Sequence, residues 1–137
     1  MSSLSITPAP TTAKPSPQPI SIFSGNLPVF PDSGGTLSIL PDYIVRPLVA
    51  NYPGATSAGD GLYEVPCSTA NQTGFVDFGF GEKIIRVPWK EFVWFAGPNA
   101  CALGIMSSQR GDVSYVLGDT FLRAAFGTFQ STHPFPL

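Results

Sequence analysis

The segment from Val29 to Pro41 carries an acid into a tight turn between two apolar runs. Asp32 is followed by Ser-Gly-Gly, and glycine lets the backbone fold back because it has no Cβ atom. The same turn leaves amide N–H groups free to point at the Asp32 carboxylate. These residues predict a carboxylate presented from a rigid loop at the end of a strand. Asp-Ser-Gly is also common in turns that have only a structural role.

The rest of the chain favours a mainly β fold. Fifteen of the 137 residues are proline, fourteen are glycine and 12% are charged, which suits short strands joined by many turns. A chain of this length forms one domain at most. Short apolar or alternating runs predict strands at 20–23, 27–30, 37–40, 61–67 and 101–105, and a β-hairpin at 75–87.

Helices are predicted to be short. Pro41 and Asp42 open a pattern of apolar residues close to a 3.6-residue repeat, but Pro47 lies inside it, and an internal proline costs about 3 kcal/mol. Residues 88–94 predict either one helical turn or a strand. Their aromatic side chains are expected to fill the core.

Charge and hydropathy argue against several classes of partner. The net charge is −2 and the basic residues are scattered, which does not suit a nucleic-acid-binding surface. No apolar run approaches the roughly 20 residues of a membrane helix. Cys67 and Cys101 have no C-x-x-C spacing and no neighbouring histidine, so a zinc site is not expected. We expect no metal and no cofactor for this chain. The two cysteines are either separate buried thiols or a pair.

Residues 1–25 are rich in Ser, Thr, Pro and Ala. They lack the basic segment and apolar stretch of a signal peptide. Such a composition buries too little apolar surface to offset the entropy of ordering. We expect this segment to be disordered.

The acidic loop resembles the second active-site motif of the pepsin-like aspartic peptidases. In that family an apolar pair precedes Asp-Thr/Ser-Gly-Thr/Ser, and a Leu-rich strand ending in proline follows. The segment from Tyr115 to Gly118, with the Asp-Thr-Phe-Leu-Arg that follows it, is similar to the family strand that passes under the catalytic loop. Two positions depart: Pro31 replaces an apolar residue, and Gly35 replaces a hydroxyl residue that commonly bonds the catalytic carboxylate.

The resemblance implies the C-terminal lobe of the pepsin-like (acid protease) double-ψ barrel fold, over residues 26–126. It implies that a separate N-terminal lobe is missing from this chain, which looks truncated. The sequence departs from the family pattern at Gly127. We therefore expect residues 127–137 to be an irregular tail, with the last strand of the lobe missing and with a histidine, His133, that is not catalytic.

The resemblance also implies roles for individual residues and a peptide or protein substrate. Asp32 would be the second catalytic acid of an aspartic endopeptidase. Residues implied to support its loop are Ser33, Gly34, Gly35 and Thr36, and residues implied to line the substrate pocket are Phe30 and Val116. Because one lobe supplies one acid, the isolated chain is expected to be inactive.

The family commonly carries a disulfide with the spacing of Cys67 and Cys101, so the resemblance implies that they pair. A disulfide indicates an oxidising compartment, and Asn71 begins a sequon for N-glycosylation. The full-length family is secreted or vacuolar, whereas this chain shows no signal peptide. Two alternatives to a peptidase lobe are a non-catalytic peptide-binding or inhibitor-binding β module and a chain that does not fold stably.

Overall fold

The computed structural model describes residues 1–109 and 114–132, and for 127–132 it describes the backbone only. Its strands are β1 (Ser3–Thr7), β2 (Ile20–Ser24), β3 (Phe30–Pro31), β4 (Ser38–Leu40), β5 (Thr56–Gly59), β6 (Leu62–Val65), β7 (Phe75–Phe80), β8 (Lys83–Pro88), β9 (Val93–Gly97), β10 (Ala100–Leu103), β11 (Ile105–Ser107) and β12 (Val116–Leu117). Its helices are α1 (Asp42–Val49), α2 (Trp89–Phe92), α3 (Asp119–Thr132) and a 3-10 helix at Cys67–Asn71. This content confirms the mainly β prediction.

The strands form three four-stranded sheets, in the orders β2-β1-β7-β8, β5-β6-β10-β9 and β11-β4-β12-β3. The predicted hairpin is confirmed as the antiparallel pair β7 and β8. Across it the Arg86 guanidinium donates two hydrogen bonds, of 2.9 and 3.0 Å, to the Asp77 carboxylate. These bonds hold the pKa of Arg86 above its usual value and fix the register of the pair.

The prediction that residues 1–25 are disordered is wrong for two strands. β1 lies between β2 and β7 in the first sheet, and its Leu4 and Ile6 side chains are fully buried. Serine and threonine alternate with these two residues, which is the period of a strand with one buried face. Composition averaged over 25 residues hides this pattern, and β7 supplies the hydrogen-bonding partner.

The core is built around aromatic side chains from the first sheet and the helices. Trp89, Phe78 and Phe92 are its largest fully buried members. The Phe78 ring lies edge-on to Phe121 of α3, with centroids 4.8 Å apart. Trp89 and Phe92 thus fill the core, as expected for the aromatic residues of 88–94, whereas Trp94 is exposed and does not. The first turn of this segment is helical.

Helix α1 confirms the prediction of a short helix that includes Pro47. Its buried side chains are Ile44, Val45, Leu48 and Val49. The face toward solvent carries an ion pair between Asp42 and Arg46, 2.6 Å apart and one helical turn along the chain. Burial of one apolar face therefore offsets the backbone bond that the proline removes.

The predicted irregular tail is wrong for its first part. Helix α3 begins at Asp119 and continues past Gly127 to Thr132. A glycine inside a helix costs only about 1 kcal/mol, and extending an existing helix avoids the cost of nucleation. His133 and the residues after it lie outside the described residues. No helix in the described part of the chain is long and apolar enough to cross a membrane.

Cys67 and Cys101 form a disulfide that joins the 3-10 helix to β10. The bond confirms the pairing implied by the resemblance. It links two elements 34 positions apart in sequence, so it constrains the chain between β6 and β10.

Tyr52 provides a prediction on stability. Its side chain is 3% exposed, and among the described residues its hydroxyl has no hydrogen-bond partner. Burial raises the pKa of Tyr52. The unfolded chain therefore loses this proton at a lower pH than the folded chain, and the free energy of unfolding falls as pH rises above about 10.

We expect Tyr52→Phe to be at least as stable as the wild type at pH 7, because the replacement removes an unpaired buried hydroxyl. Above about pH 10 the variant should lose less stability than the wild type. Urea unfolding at both pH values measures this difference. Tyr43→Phe, at a side chain 64% exposed, is the control. The prediction would be contradicted if the free energy of unfolding fell by the same amount in the wild type and in Tyr52→Phe when the pH is raised.

Candidate active-site loop

Asp32 follows β3 directly and is exposed to solvent. The Gly34 N–H donates a hydrogen bond of 3.0 Å to Asp32 Oδ1. The Gly35 N–H turns the other way and donates to the backbone carbonyl of Asp32 at 3.1 Å. One amide of the turn therefore points at the carboxylate, and the other closes the turn itself.

Both glycines lie against the carboxylate. A Cβ atom would lie 3.4 Å from Asp32 Oδ1 if built on Gly34, and 3.1 Å from Oδ2 if built on Gly35. A side chain at Gly35 would press on the acid, whereas one at Gly34 would be in ordinary van der Waals contact with it. Among the described residues, Oδ2 accepts no hydrogen bond, which agrees with the absence of a hydroxyl at position 35.

Strand β12 holds the backbone on the N-terminal side of the loop through hydrogen bonds. The Asp32 N–H donates to the Leu117 carbonyl at 2.9 Å, and the Phe30 N–H donates to the Tyr115 carbonyl at 3.0 Å. Strand β12 runs parallel to β3, with Val116 beside Phe30 in the register. The backbone that carries the acid is thus held by a segment far along the chain.

Gly118 lies where the two segments approach most closely. A Cβ atom there would lie 2.5 Å from the Leu37 carbonyl oxygen and 2.7 Å from that of Gly35. The next residue, Asp119, donates its N–H to the Gly35 carbonyl at 2.8 Å. The glycine therefore permits backbone contact between the loop and the start of α3.

Ser38 is a supporting residue that the sequence reasoning missed. Its side chain is fully buried, and its hydroxyl accepts a hydrogen bond of 3.0 Å from the Gly118 N–H. A buried backbone N–H without a partner is costly, so this bond stabilises the close approach. The only signal in the sequence is a hydroxyl residue in a strand of otherwise apolar residues.

The other predicted site residues lie around the acid at different depths. Ser33 and Thr36 are exposed, and the Thr36 carbonyl accepts a hydrogen bond of 3.3 Å from the Thr120 N–H. Phe30 is 57% exposed, whereas Val116 is half-buried. The structure therefore brings the predicted loop residues together, with the Phe30 ring exposed to solvent.

An apolar groove of about 510 Å³ opens beside this loop. Its lining includes Pro31, which precedes Asp32, and Leu117, together with Phe80, Ile85 and Phe121. Phe30 and Val116, which the resemblance implies as pocket residues, are not part of its lining. Pro31, one of the two departures from the family motif, thus faces this groove.

The described residues supply no second acid to this carboxylate. No hydrogen bond or ion pair joins Asp32 to another acidic side chain there. No three His, Cys, Asp or Glu side chains in the described ranges could hold a metal ion. A lone exposed carboxylate lacks the close second carboxyl group with which it could share a proton.

Gly118→Ala is expected to reduce the free energy of unfolding by about 1–3 kcal/mol, because the new methyl group overlaps two backbone carbonyl oxygens. Urea unfolding measures the loss. Gly97→Ala is the matched control, since a Cβ atom there would meet only the Ala100 side chain at 3.7 Å. The prediction fails if both variants keep the stability of the wild type.

Comparison with known proteins places this geometry in context. A family model described as eukaryotic aspartyl protease matches residues 13–134. The match extends beyond residues 26–126 at both ends, and it therefore includes part of the segment that was predicted to be disordered.

Three fungal relatives are similar over most of the chain. Candidapepsin-2 of Candida parapsilosis is 46% identical over 101 residues, which are 69% of this chain and 24% of the relative. Aspartic proteinase yapsin-3 of Saccharomyces cerevisiae is 34% identical over 111 residues, 81% of this chain and 22% of the relative. Secreted aspartic protease 9 of Candida albicans is 34% identical over 106 residues, 77% and 20% respectively. The chain therefore spans between a fifth and a quarter of the length of these relatives.

Proposed function

The chain belongs to the eukaryotic aspartyl protease family, and we propose that it supplies one lobe of an aspartic endopeptidase, with Asp32 as one of its two catalytic acids. The observation that carries the proposal is the Asp32 carboxylate itself. It is exposed, it accepts the Gly34 N–H at 3.0 Å, and its backbone is held on Leu117 at 2.9 Å. Such a carboxylate is fixed in position and open to a substrate.

The chemistry requires a second carboxyl group. Two carboxyl groups in hydrogen-bonding distance share one proton, because two like charges this close are not both ionised. The ionised member takes a proton from water as the oxygen attacks the scissile carbonyl carbon. The protonated member donates to the carbonyl oxygen, and collapse of the tetrahedral intermediate then releases the amine with a proton. Asp32 supplies one member of this pair.

In this proposal the second acid comes from a separate N-terminal lobe, so the chain alone does not cleave peptides. Gly34 holds the carboxylate through its amide. Gly35 and Thr36 link the loop to α3 through their carbonyl groups, and Ser33 lies exposed on the face where a matching loop would dock.

The substrate is a peptide or protein segment. Phe30, with its exposed ring, and Val116 beside it in the sheet supply apolar contacts to residues of the substrate next to the cleaved bond. The mostly apolar groove lined by Pro31, the residue before Asp32, and by Leu117 adds a second apolar surface beside the loop.

The disulfide and the name of one relative bear on the compartment in which the protein functions. The Cys67–Cys101 disulfide is stable in an oxidising environment, and one relative is named as a secreted aspartic protease. We propose that the chain functions outside the cytosol, as a secreted or vacuolar protein.

A second candidate function is a non-catalytic peptide-binding module. The observation in its favour is Gly35, which leaves Asp32 Oδ2 without a hydrogen bond from the described residues. A carboxylate that is held less firmly would transfer protons inefficiently. The surface around it could still bind a peptide.

The test compares the chain alone with the chain mixed with the N-terminal half of Candidapepsin-2. A cooperative thermal transition first establishes that the chain folds, and a chain without one would support the alternative of an unstable fold. Peptide cleavage at acidic pH is then measured with and without a statine-type inhibitor. We expect no cleavage by the chain alone and inhibitor-sensitive cleavage by the mixture.

Cleavage by the pure monomer would overturn the requirement for a second lobe. A folded mixture that associates but neither cleaves peptide nor binds the inhibitor would favour the binding module. A mixture that cleaves peptide without inhibition by the statine compound would exclude the paired-acid chemistry.

A further inference from the structure

We propose that Asn71 carries an N-linked glycan. The chain contains four asparagines, at positions 26, 51, 71 and 99, and only the third has Ser or Thr two residues later. The acceptor sequence is Asn-Gln-Thr, with a non-proline residue in the middle. The inference does not depend on the role of Asp32.

The structure presents this sequence at the surface. Asn71 ends the 3-10 helix, and Gln72 continues in an extended conformation with φ −88° and ψ 149°. Both Asn71 and the hydroxyl-bearing Thr73 are exposed. No hydrogen bond of the described residues uses the Asn71 amide, so a sugar attached there would break no bond of the fold.

The disulfide supports the required compartment independently. Cys67 begins the same 3-10 helix that Asn71 ends, and it pairs with Cys101. Disulfides form in the endoplasmic reticulum and other oxidising compartments, and N-glycans are a modification of secreted proteins. Two separate features of one short segment therefore indicate passage through the secretory route.

The surroundings leave room for the first sugars. Asn71 is part of the lining of an open groove of about 490 Å³, together with Pro8, Pro10 and Pro53. The apolar faces of a sugar ring pack well on such side chains. The groove shares no lining residue with the one beside Asp32.

The experiment expresses the full chain behind a secretion signal in a eukaryotic host. Gel mobility and intact mass are measured before and after treatment with peptide N-glycosidase. We expect the wild type to carry one oligosaccharide that the enzyme removes, and peptide mapping to find aspartate at position 71 after removal. Asn71→Gln and Thr73→Ala should lack the added mass completely, while Thr73→Ser should keep it.

Asn99→Gln is the matched control. Asn99 is also exposed but has no Ser or Thr two residues later, so this variant should keep the glycan. Because attachment precedes folding, the mobility shift is read from cell extract as well as from medium. A wild type with the unmodified mass, or added mass that the glycosidase does not remove, would overturn the proposal.

Discussion

Asp32→Asn is expected to lower the rate of peptide cleavage by about 10³-fold or more in the chain assembled with a complementary lobe. An amide neither takes a proton from water nor shares one with a second carboxyl group. The replacement keeps the size of the side chain and an oxygen that can accept the Gly34 N–H. The exposed position of Asp32 makes a large change in stability unexpected.

The matched control for this prediction is Asp60→Asn. Asp60 is exposed and adopts a positive φ of 54°, a conformation that asparagine also tolerates. Cleavage of a fluorogenic peptide at acidic pH is compared for both variants, together with their thermal unfolding. Full activity in Asp32→Asn, with an unchanged fold, would remove Asp32 from the mechanism.

Replacing both Cys67 and Cys101 by alanine is expected to lower the free energy of unfolding by roughly 4 kcal/mol. The disulfide joins positions 34 residues apart, and removing it lets the unfolded chain sample far more conformations. Cys101 is also 3% exposed, so its loss leaves unfilled space in the core. Guanidinium unfolding under non-reducing conditions measures the difference.

Reduction supplies the control for the disulfide. A thiol reductant should lower the stability of the wild type toward that of the double variant and leave the double variant unchanged. Reduction should also speed hydrogen exchange most in the two elements that the disulfide joins, the 3-10 helix and β10. A double variant that unfolds at the same denaturant concentration as the oxidised wild type would contradict the prediction.

Local chemistry made several elements predictable. The glycines after Asp32 allow a tight turn whatever the rest of the chain does, and the alternation in 75–87 suits a hairpin with one buried face. Proline at the start of α2 and the acid at the start of α3 likewise act within one helical turn. In each case the residues that determine the structure lie within a few positions of one another.

The features that the sequence did not predict depend on residues far apart in the chain. The sequence of β1 alternates polar and apolar residues, but this segment forms a strand only because β7 lies beside it and pairs with it. Ser38 became a supporting residue only because Gly118 approaches it from 80 positions away. The extent of α3 depends on the small cost of extending an existing helix past Gly127, which departure from a family pattern does not reveal.

The order of residues alone determined that an acid would sit in a glycine turn between apolar strands, and that two cysteines were available to pair. Tertiary structure decided where that acid would be held, since its backbone bond goes to Leu117, and decided that Leu4 and Ile6 would be buried. Turn geometry depends on bonds within a few residues, whereas burial and strand pairing depend on which distant segments arrive beside them.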